Sequence, residues 1–164
     1  MTKGSLISKT SVVKKFYIII YLSTFAFWGS TQTLLALTND QNLLAKCQAV
    51  YAYAAHLAQI QNNTGLATNL LLRSSRSTTA LLMISERDGK VKGSEVDKFK
   101  RIQAASKRSL DANQSNINNE ILSCDQNALP ITNAVESRRK KLWGKSFQQL
   151  QREFLVNGKQ TLGL

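Results

Sequence analysis

Cysteine and histidine are the residues of this chain with the most distinctive chemistry, and both are scarce. Cys47 and Cys124 are the only cysteines, and His56 is the only histidine. One imidazole cannot build a histidine metal cluster, and no nucleophile is spaced from His56 as in known hydrolase motifs. The cysteines are 77 positions apart and form no Cys-x-x-Cys motif, so they do not indicate a redox or metal pair. We therefore expect no metal site and no cofactor.

The carboxylates and the glycines give no further sign of catalysis. The pairs Glu86/Asp88 and Glu95/Asp97 are each spaced by two residues, which places their members on different faces of a helix. Such a spacing does not favour the paired carboxylates of a glycosidase. The chain also has no glycine-rich phosphate loop, no Gly-x-Ser-x-Gly and no His-Glu-x-x-His. These absences favour a binding protein over an enzyme, and an enzyme using His56 is the alternative.

A structural disulfide is the role that best suits the two cysteines. Cys47 and Cys124 each lie on the apolar stripe of a predicted helix. An antiparallel hairpin bent near residues 89–91 brings them to the same end, with an offset of about one helical turn. Neighbouring helices can supply the Cα separation of roughly 4.4–6.8 Å that a disulfide needs. Two buried free thiols are the alternative.

Basic side chains cluster beside a tryptophan near the C-terminus. On a helix they would form a cationic patch edged by aromatic rings, which suits an anionic membrane surface or an acidic partner. A solvated face that only aids solubility is the simpler interpretation. Nucleic acid binding is electrostatically possible, but the export signal described below argues against it. The cluster consists of Arg138, Arg139, Lys140, Lys141, Trp143, Lys145 and Arg152.

A second basic pair lies in the segment RSSRSTT at residues 73–79. Its small hydroxyl side chains would allow another helix to approach closely, and Arg73 and Arg76 could bind an anion. A solvated helix face explains the segment equally well. We therefore treat Arg73 and Arg76 as a candidate anion-binding or helix-contact patch.

The N-terminal residues predict an export signal. Residues 1–15 contain four lysines and no acid, and residues 16–27 are nearly all apolar. A cationic start, an apolar run and a polar exit are typical of a secretory signal peptide. No charged residue falls between Phe16 and Asn39, so the segment could instead stay uncut and span a bilayer. We expect residues 1–36 to be a signal peptide or a membrane anchor, and part of the net charge of +12 belongs to it.

The rest of the chain predicts helices and no strand. Apolar residues repeat at intervals of three and four, and no window alternates at period two. We expect an all-α fold, an antiparallel helical hairpin packed with a third amphipathic helix, with helices over about 40–85, 94–128 and 130–156. Pro130 is placed in the first turn of the third helix. Residues 61–65 are either a weak point of the first helix or a turn, which would give four shorter helices.

These patterns together predict a protein that acts outside the cytoplasm. We expect residues 37–164 to form one helical domain in a bacterial periplasm or at the cell surface, binding a protein partner through its helix faces. The alternative is a single-pass accessory subunit of an envelope or secretion assembly. It would be anchored in the inner membrane facing the periplasm, with a basic helix on the lipid.

Overall fold

Helices make up most of the part of the chain that the structure describes. The computed structural model describes residues 38–138 and 140–164, and within these ranges it contains five α-helices and no strand. The predicted all-α class and helical bundle are confirmed. The predicted signal or anchor over residues 1–36 and the side chain of Arg139 lie outside the described residues. The helices are α1 (Asn39–Ile60), α2 (Thr64–Ser85), α3 (Gly93–Ala112), α4 (Ile117–Ser137) and α5 (Phe147–Leu162), with a short 3-10 turn at Gln114–Asn116.

Two of the helices begin with reciprocal capping boxes. The Thr38 hydroxyl accepts the Gln41 backbone N–H at 3.2 Å, and the Gln41 side chain accepts the Thr38 N–H at 2.9 Å. Ser146 and Gln149 form the same pair at the start of α5. Each box satisfies two backbone donors that have no partner inside the helix. These caps fix where α1 and α5 start.

The predicted helix over 40–85 is two helices, so the turn alternative at residues 61–65 is the one observed. Asn62 has a φ of 59° in the left-handed region, which asparagine tolerates better than most residues. Asn63 then caps α2 by accepting the Leu66 N–H at 3.0 Å. The reversal lets α1 and α2 pack against each other as an antiparallel pair.

The predicted helix over 94–128 was wrong, because α3 ends at Ala112 and α4 starts at Ile117. Between them Asn113 has a non-helical backbone, with φ −146° and ψ 71°, and its side-chain oxygen accepts a hydrogen bond from the Ser115 hydroxyl at 2.7 Å. Short polar side chains of this kind compete with helical backbone bonding. The apolar repeat continues across the break because α3 and α4 both turn an apolar face towards α1.

The predicted helix over 130–156 was also wrong. Pro130 lies inside α4, on its exposed side, and does not start a new helix. A proline at an exposed interior position loses one backbone hydrogen bond and can be tolerated. The break falls later, between Ser137 and Phe147, at a tight turn that contains Gly144.

The antiparallel α1–α2 pair is the centre of the bundle. Helices α3 and α4 pack on α1, while α4 and α5 pack on α2. Alanines of α1 such as Ala45 and Ala55 are fully buried, and they leave room for close helix approach. Gly158 of α5 lies against Leu71 of α2, where an added Cβ would come within 3.2 Å of a Leu71 methyl carbon.

Candidate functional site

A disulfide joins α1 to α4. Cys47 and Cys124 are bonded, their Cα atoms are 5.4 Å apart, and both side chains are buried. The predicted pairing is confirmed, although the partner of α1 in its hairpin is α2, not the helix that carries Cys124. The ion pair between Lys46 and Glu120, at 2.7 Å, lies beside the disulfide and joins the same two helices.

A polar network lies next to the disulfide and joins three helices. The Tyr51 phenol of α1 donates to Asp125 Oδ1 of α4 at 2.8 Å, and Arg73 of α2 forms an ion pair with the same carboxylate. Tyr51 is only 3% exposed. Burial first, and then the hydrogen bond to Asp125, raise the pKa of Tyr51 well above its usual value. The network holds α4 at a fixed position over the α1–α2 pair.

Arg76 makes a second link of the same kind one turn further along α2. Its guanidinium donates to Glu136 at 2.8 Å and to Asn133 at 2.9 Å, both on α4. Arg73 and Arg76 therefore each have a carboxylate partner on α4. The structure places these two predicted site residues in contacts between helices, and an anion would have to compete with carboxylates for them.

Three hydroxyl side chains of the 73–79 segment, those of Ser74, Ser75 and Thr79, are buried. Ser74 donates to the carbonyl oxygen of Gln48 on α1 at 3.1 Å. Ser75 and Thr79 are buried and donate back to carbonyls of α2, each at 2.8 Å. Small side chains that satisfy their own hydroxyls allow the two helices to approach closely.

A groove of about 360 Å³ runs between α2 and α4 above this network. Leu72 on α2 and Leu129 on α4 line it and are 38% and 44% exposed. Leu122 is 55% exposed and lies two turns before Leu129 on α4, which is the spacing of one helix face. The groove therefore combines apolar rims with a charged floor formed by Arg73 and Asp125.

The predicted placement of the C-terminal basic cluster on one helix was wrong, while its contact with an anionic surface or an acidic partner stays a prediction. Lys140 forms an ion pair with Glu86, and Lys145 forms one with Glu153 at 2.6 Å. The Arg152 side chain donates to the Gln148 carbonyl at 3.4 Å. The cluster is divided among the end of α4 (Arg138), a non-helical connection (Lys140 and Lys141), a tight turn (Trp143 and Lys145) and α5 (Arg152).

Two tight turns have the same geometry, one at residues 87–90 and one at residues 142–145 within the basic cluster. Arg87 and Lys90 exchange backbone hydrogen bonds across Asp88 and Gly89, whose φ angles are 54° and 75°. The second turn does the same between Leu142 and Lys145. Positive φ at both central residues is the pattern of a type I′ turn, which favours Asn, Asp and Gly.

Trp143 is the unusual residue of the second turn. It occupies the first central position with a φ of 53° and is 48% exposed, while Gly144 follows with a φ of 74°. A bulky side chain in the left-handed region is a marked departure from normal preference. The sequence analysis did not predict this turn, because tryptophan is not a typical turn residue. Gly144 was the one residue of the segment that favours a turn.

The described residues offer no constellation typical of an active site. His56 is exposed on α1, and within the ranges 38–138 and 140–164 no three His, Cys, Asp or Glu side chains form a group able to hold a metal. None of the helices over those ranges is long and apolar enough to cross a membrane. Comparison of the chain with protein-family models, with curated proteins and with solved structures finds no match.

Proposed function

We propose that the protein is an exported, non-enzymatic helical binding protein of the bacterial periplasm or cell envelope. The observation that carries this proposal is the buried Cys47–Cys124 disulfide. Disulfides persist in oxidising compartments and are rare in the cytosol. The lysine-rich, apolar N-terminal sequence supports the same compartment, because it has the layout of a segment that directs export.

Cell fractionation tests the compartment directly. We expect the native product in the envelope fraction, with an N-terminus near Leu37 and with both cysteines unreactive towards alkylation until a reductant is added. The Ile19→Asp variant places a charge in the apolar run and should leave a full-length, reduced product in the cytosol. The Ile19→Leu variant should behave as wild type. A wild-type product in the cytosol with free thiols contradicts the proposal.

The α2–α4 groove is the surface we assign to a protein partner. Its leucine rims match the apolar face of a single helix, and the helix-in-groove mode of recognition uses anchors spaced by three, four or seven residues. Leu72 of α2 and Leu129 of α4 line the groove and are the side chains that such a helix would contact. The occupant we propose is therefore an amphipathic helix of another envelope protein.

Site-specific crosslinking in intact cells tests this surface. A photoreactive residue at position 129 should yield one adduct, and the same residue at position 60 should yield none. Ile60 is a matched control because it is also exposed and apolar, at 64%, but does not line the groove. The Leu72→Lys variant should abolish the adduct and Ile60→Lys should not. Equal labelling from both positions contradicts this assignment.

An uncleaved N-terminal segment would make the protein a membrane-anchored accessory subunit. The sequence supports this second candidate because residues 16–38 carry no charge. The mass of the purified product separates the two: a chain beginning near Leu37 eliminates the anchor. The enzyme alternative predicts that His56→Ala abolishes a defined activity, whereas the binding proposal predicts unchanged crosslinking by this variant.

A further inference from the structure

Two turns and the start of α1 lie at the same end of the bundle. Glu86 directly follows α2, and its ion pair with Lys140 brings the 86–92 segment beside the 138–145 segment. At the same end, the Gln41 side chain of α1 donates to Ser85 Oγ at 2.9 Å in a buried contact. We call the surface formed by residues 86–92, 138 and 140–145 the basic end.

The basic end concentrates positive charge. The described residues of its two segments include seven lysines and arginines and two carboxylates, Glu86 and Asp88. Lys140 pairs with Glu86 and Lys145 pairs with Glu153, so the excess is carried by the remaining basic residues, such as Lys90 and Lys141, which are both exposed. A localised excess of this size attracts anionic surfaces within a Debye length of about 8 Å at physiological salt.

Trp143 projects from the same surface at some cost to the fold. Leu142 beside it is buried at 1% exposure and anchors the turn, whereas nearly half of the Trp143 surface is exposed. Stability alone would favour asparagine or glycine at its left-handed position. Residues held in rarely populated backbone conformations concentrate at functional surfaces. Lys141 and Lys145 lie two residues to either side of this exposed indole in the sequence. Tryptophan is enriched at membrane interfaces, where its ring lies at headgroup level.

We propose that the basic end docks on an anionic phospholipid bilayer, with the Trp143 indole at headgroup depth. Lipid is favoured over a protein occupant by the combination of an interfacial aromatic residue and a surplus of lysine and arginine. Each such charge near an anionic surface strengthens binding about fivefold. This surface is distinct from the α2–α4 groove and rests on the proposed function only for the choice of bilayer.

Trp143 fluorescence measures docking at the proposed surface itself. A product cut near Leu37 retains Trp143 as its one tryptophan, and in a product that keeps its N-terminal segment the Trp28→Phe variant leaves the same single reporter. With vesicles of equal parts phosphatidylglycerol and phosphatidylcholine, we expect a blue shift of its emission and quenching by brominated lipid chains. Vesicles of phosphatidylcholine alone should give neither. Insertion of an uncleaved N-terminal segment would bind both kinds of vesicle without immersing Trp143.

Charge variants locate the surface. Lys90→Gln and Lys141→Gln should each weaken binding to the anionic vesicles about fivefold. Arg108→Gln is the matched control, because Arg108 is exposed on α3 about 22 Å beyond the start of that helix and should leave affinity unchanged. Equal weakening by all three variants would reduce the effect to net charge and overturn the proposal.

Removal of the indole separates docking from folding. Trp143→Asn should weaken vesicle cosedimentation while raising the midpoint of urea unfolding, since asparagine tolerates the turn conformation. An unshifted Trp143 spectrum with anionic vesicles overturns the proposal. If the indole is then protected only in the crosslinked partner complex, the basic end is a protein contact. Failure of the proposed function would be seen in a different experiment, because cell fractionation would then find a reduced, full-length product in the cytosol.

Discussion

The carboxylate of Glu86, just after α2, contacts the ammonium of Lys140, just after α4. This ion pair and the Gly89 backbone N–H hold the pKa of Glu86 below its usual value. The unfolded chain has neither contact, so it takes up the proton at the higher pH. The contact therefore stabilises the fold fully above the normal glutamate pKa of about 4.3, and its contribution is lost as pH falls through the lower folded value.

Glu86→Gln should make the stability of the fold less dependent on pH in the acid range. We expect urea midpoints measured from neutral pH to pH 3 to fall less steeply in this variant than in wild type. Lys140→Gln should give a similar profile, because the hydrogen bond from Lys140 is the first cause of the lowered pKa of Glu86. Wild-type and Glu86→Gln profiles that run parallel would show that the pair adds nothing to stability.

Reduction of the Cys47–Cys124 bond should cost much of the stability of the bundle. A loop of 77 residues corresponds to about 4.5 kcal/mol in the chain-entropy treatment of disulfides. Urea unfolding with and without reductant measures the loss. The double variant Cys47→Ala, Cys124→Ala should be weakened to a similar degree and be insensitive to reductant. A wild-type midpoint that reductant leaves unchanged would contradict a structural role for the bond.

Tyr51 should ionise late in an alkaline titration. Burial and the Asp125 carboxylate both raise the pKa of its phenol, and the Arg73 guanidinium only partly opposes them. The pKa of Tyr53 is also raised, first by burial and then by Asp111. Tyrosinate absorbance should therefore show two late groups, of which Tyr51→Phe removes one.

The raised pKa of Tyr51 also makes the stability of the fold depend on pH at the alkaline end. The unfolded chain ionises Tyr51 at its usual pKa near 10, so the stabilisation is complete below that pH and is lost as pH rises through the raised folded value. Asp125→Asn should move the late absorbance change to lower pH without returning it to the usual value, because burial persists. No change in Asp125→Asn would mean that the carboxylate does not act on the phenol.

The helical class and the disulfide were predictable from local pattern. An apolar repeat of three and four residues specifies a helix, and cysteines on the apolar stripes of two helices are placed to meet in the core. The breaks were harder to predict, because the same repeat continues through Asn113, where α3 and α4 both face α1. Asparagine-rich segments permit a turn, but whether the chain reverses there depends on how the flanking helices pack.

The candidate surfaces were predicted less well than the fold. Sequence proximity placed Lys140, Trp143 and Arg152 on one helix face, but a turn separates them. The partner of Lys140 is Glu86, which no local pattern links to it. The α2–α4 groove depends on how α4 lies across α2, and that contact comes from pairs distant in sequence, such as Arg76 with Glu136.

Trp143→Asn should stabilise the fold by about 1 kcal/mol, since a left-handed conformation costs roughly that much for an ordinary residue and less for asparagine. Asp88→Val at the equivalent position of the first turn should destabilise it, because a β-branched residue tolerates this region poorly. Urea unfolding measures both. A loss of stability in Trp143→Asn would show that contacts of the indole outweigh its backbone strain.

Pro130 interrupts the backbone hydrogen bonding of α4. It lies on the exposed side of α4, thirteen residues after the helix begins, where it cannot donate to the carbonyl of Gln126. Pro130→Ala restores that hydrogen bond and should raise the free energy of unfolding by up to about 3 kcal/mol. Gln126→Ala at a nearby exposed site is the control and should have little effect. An unchanged or lowered stability in Pro130→Ala would mean that a proline bend is needed to seat Ala128 and Thr132 against α2.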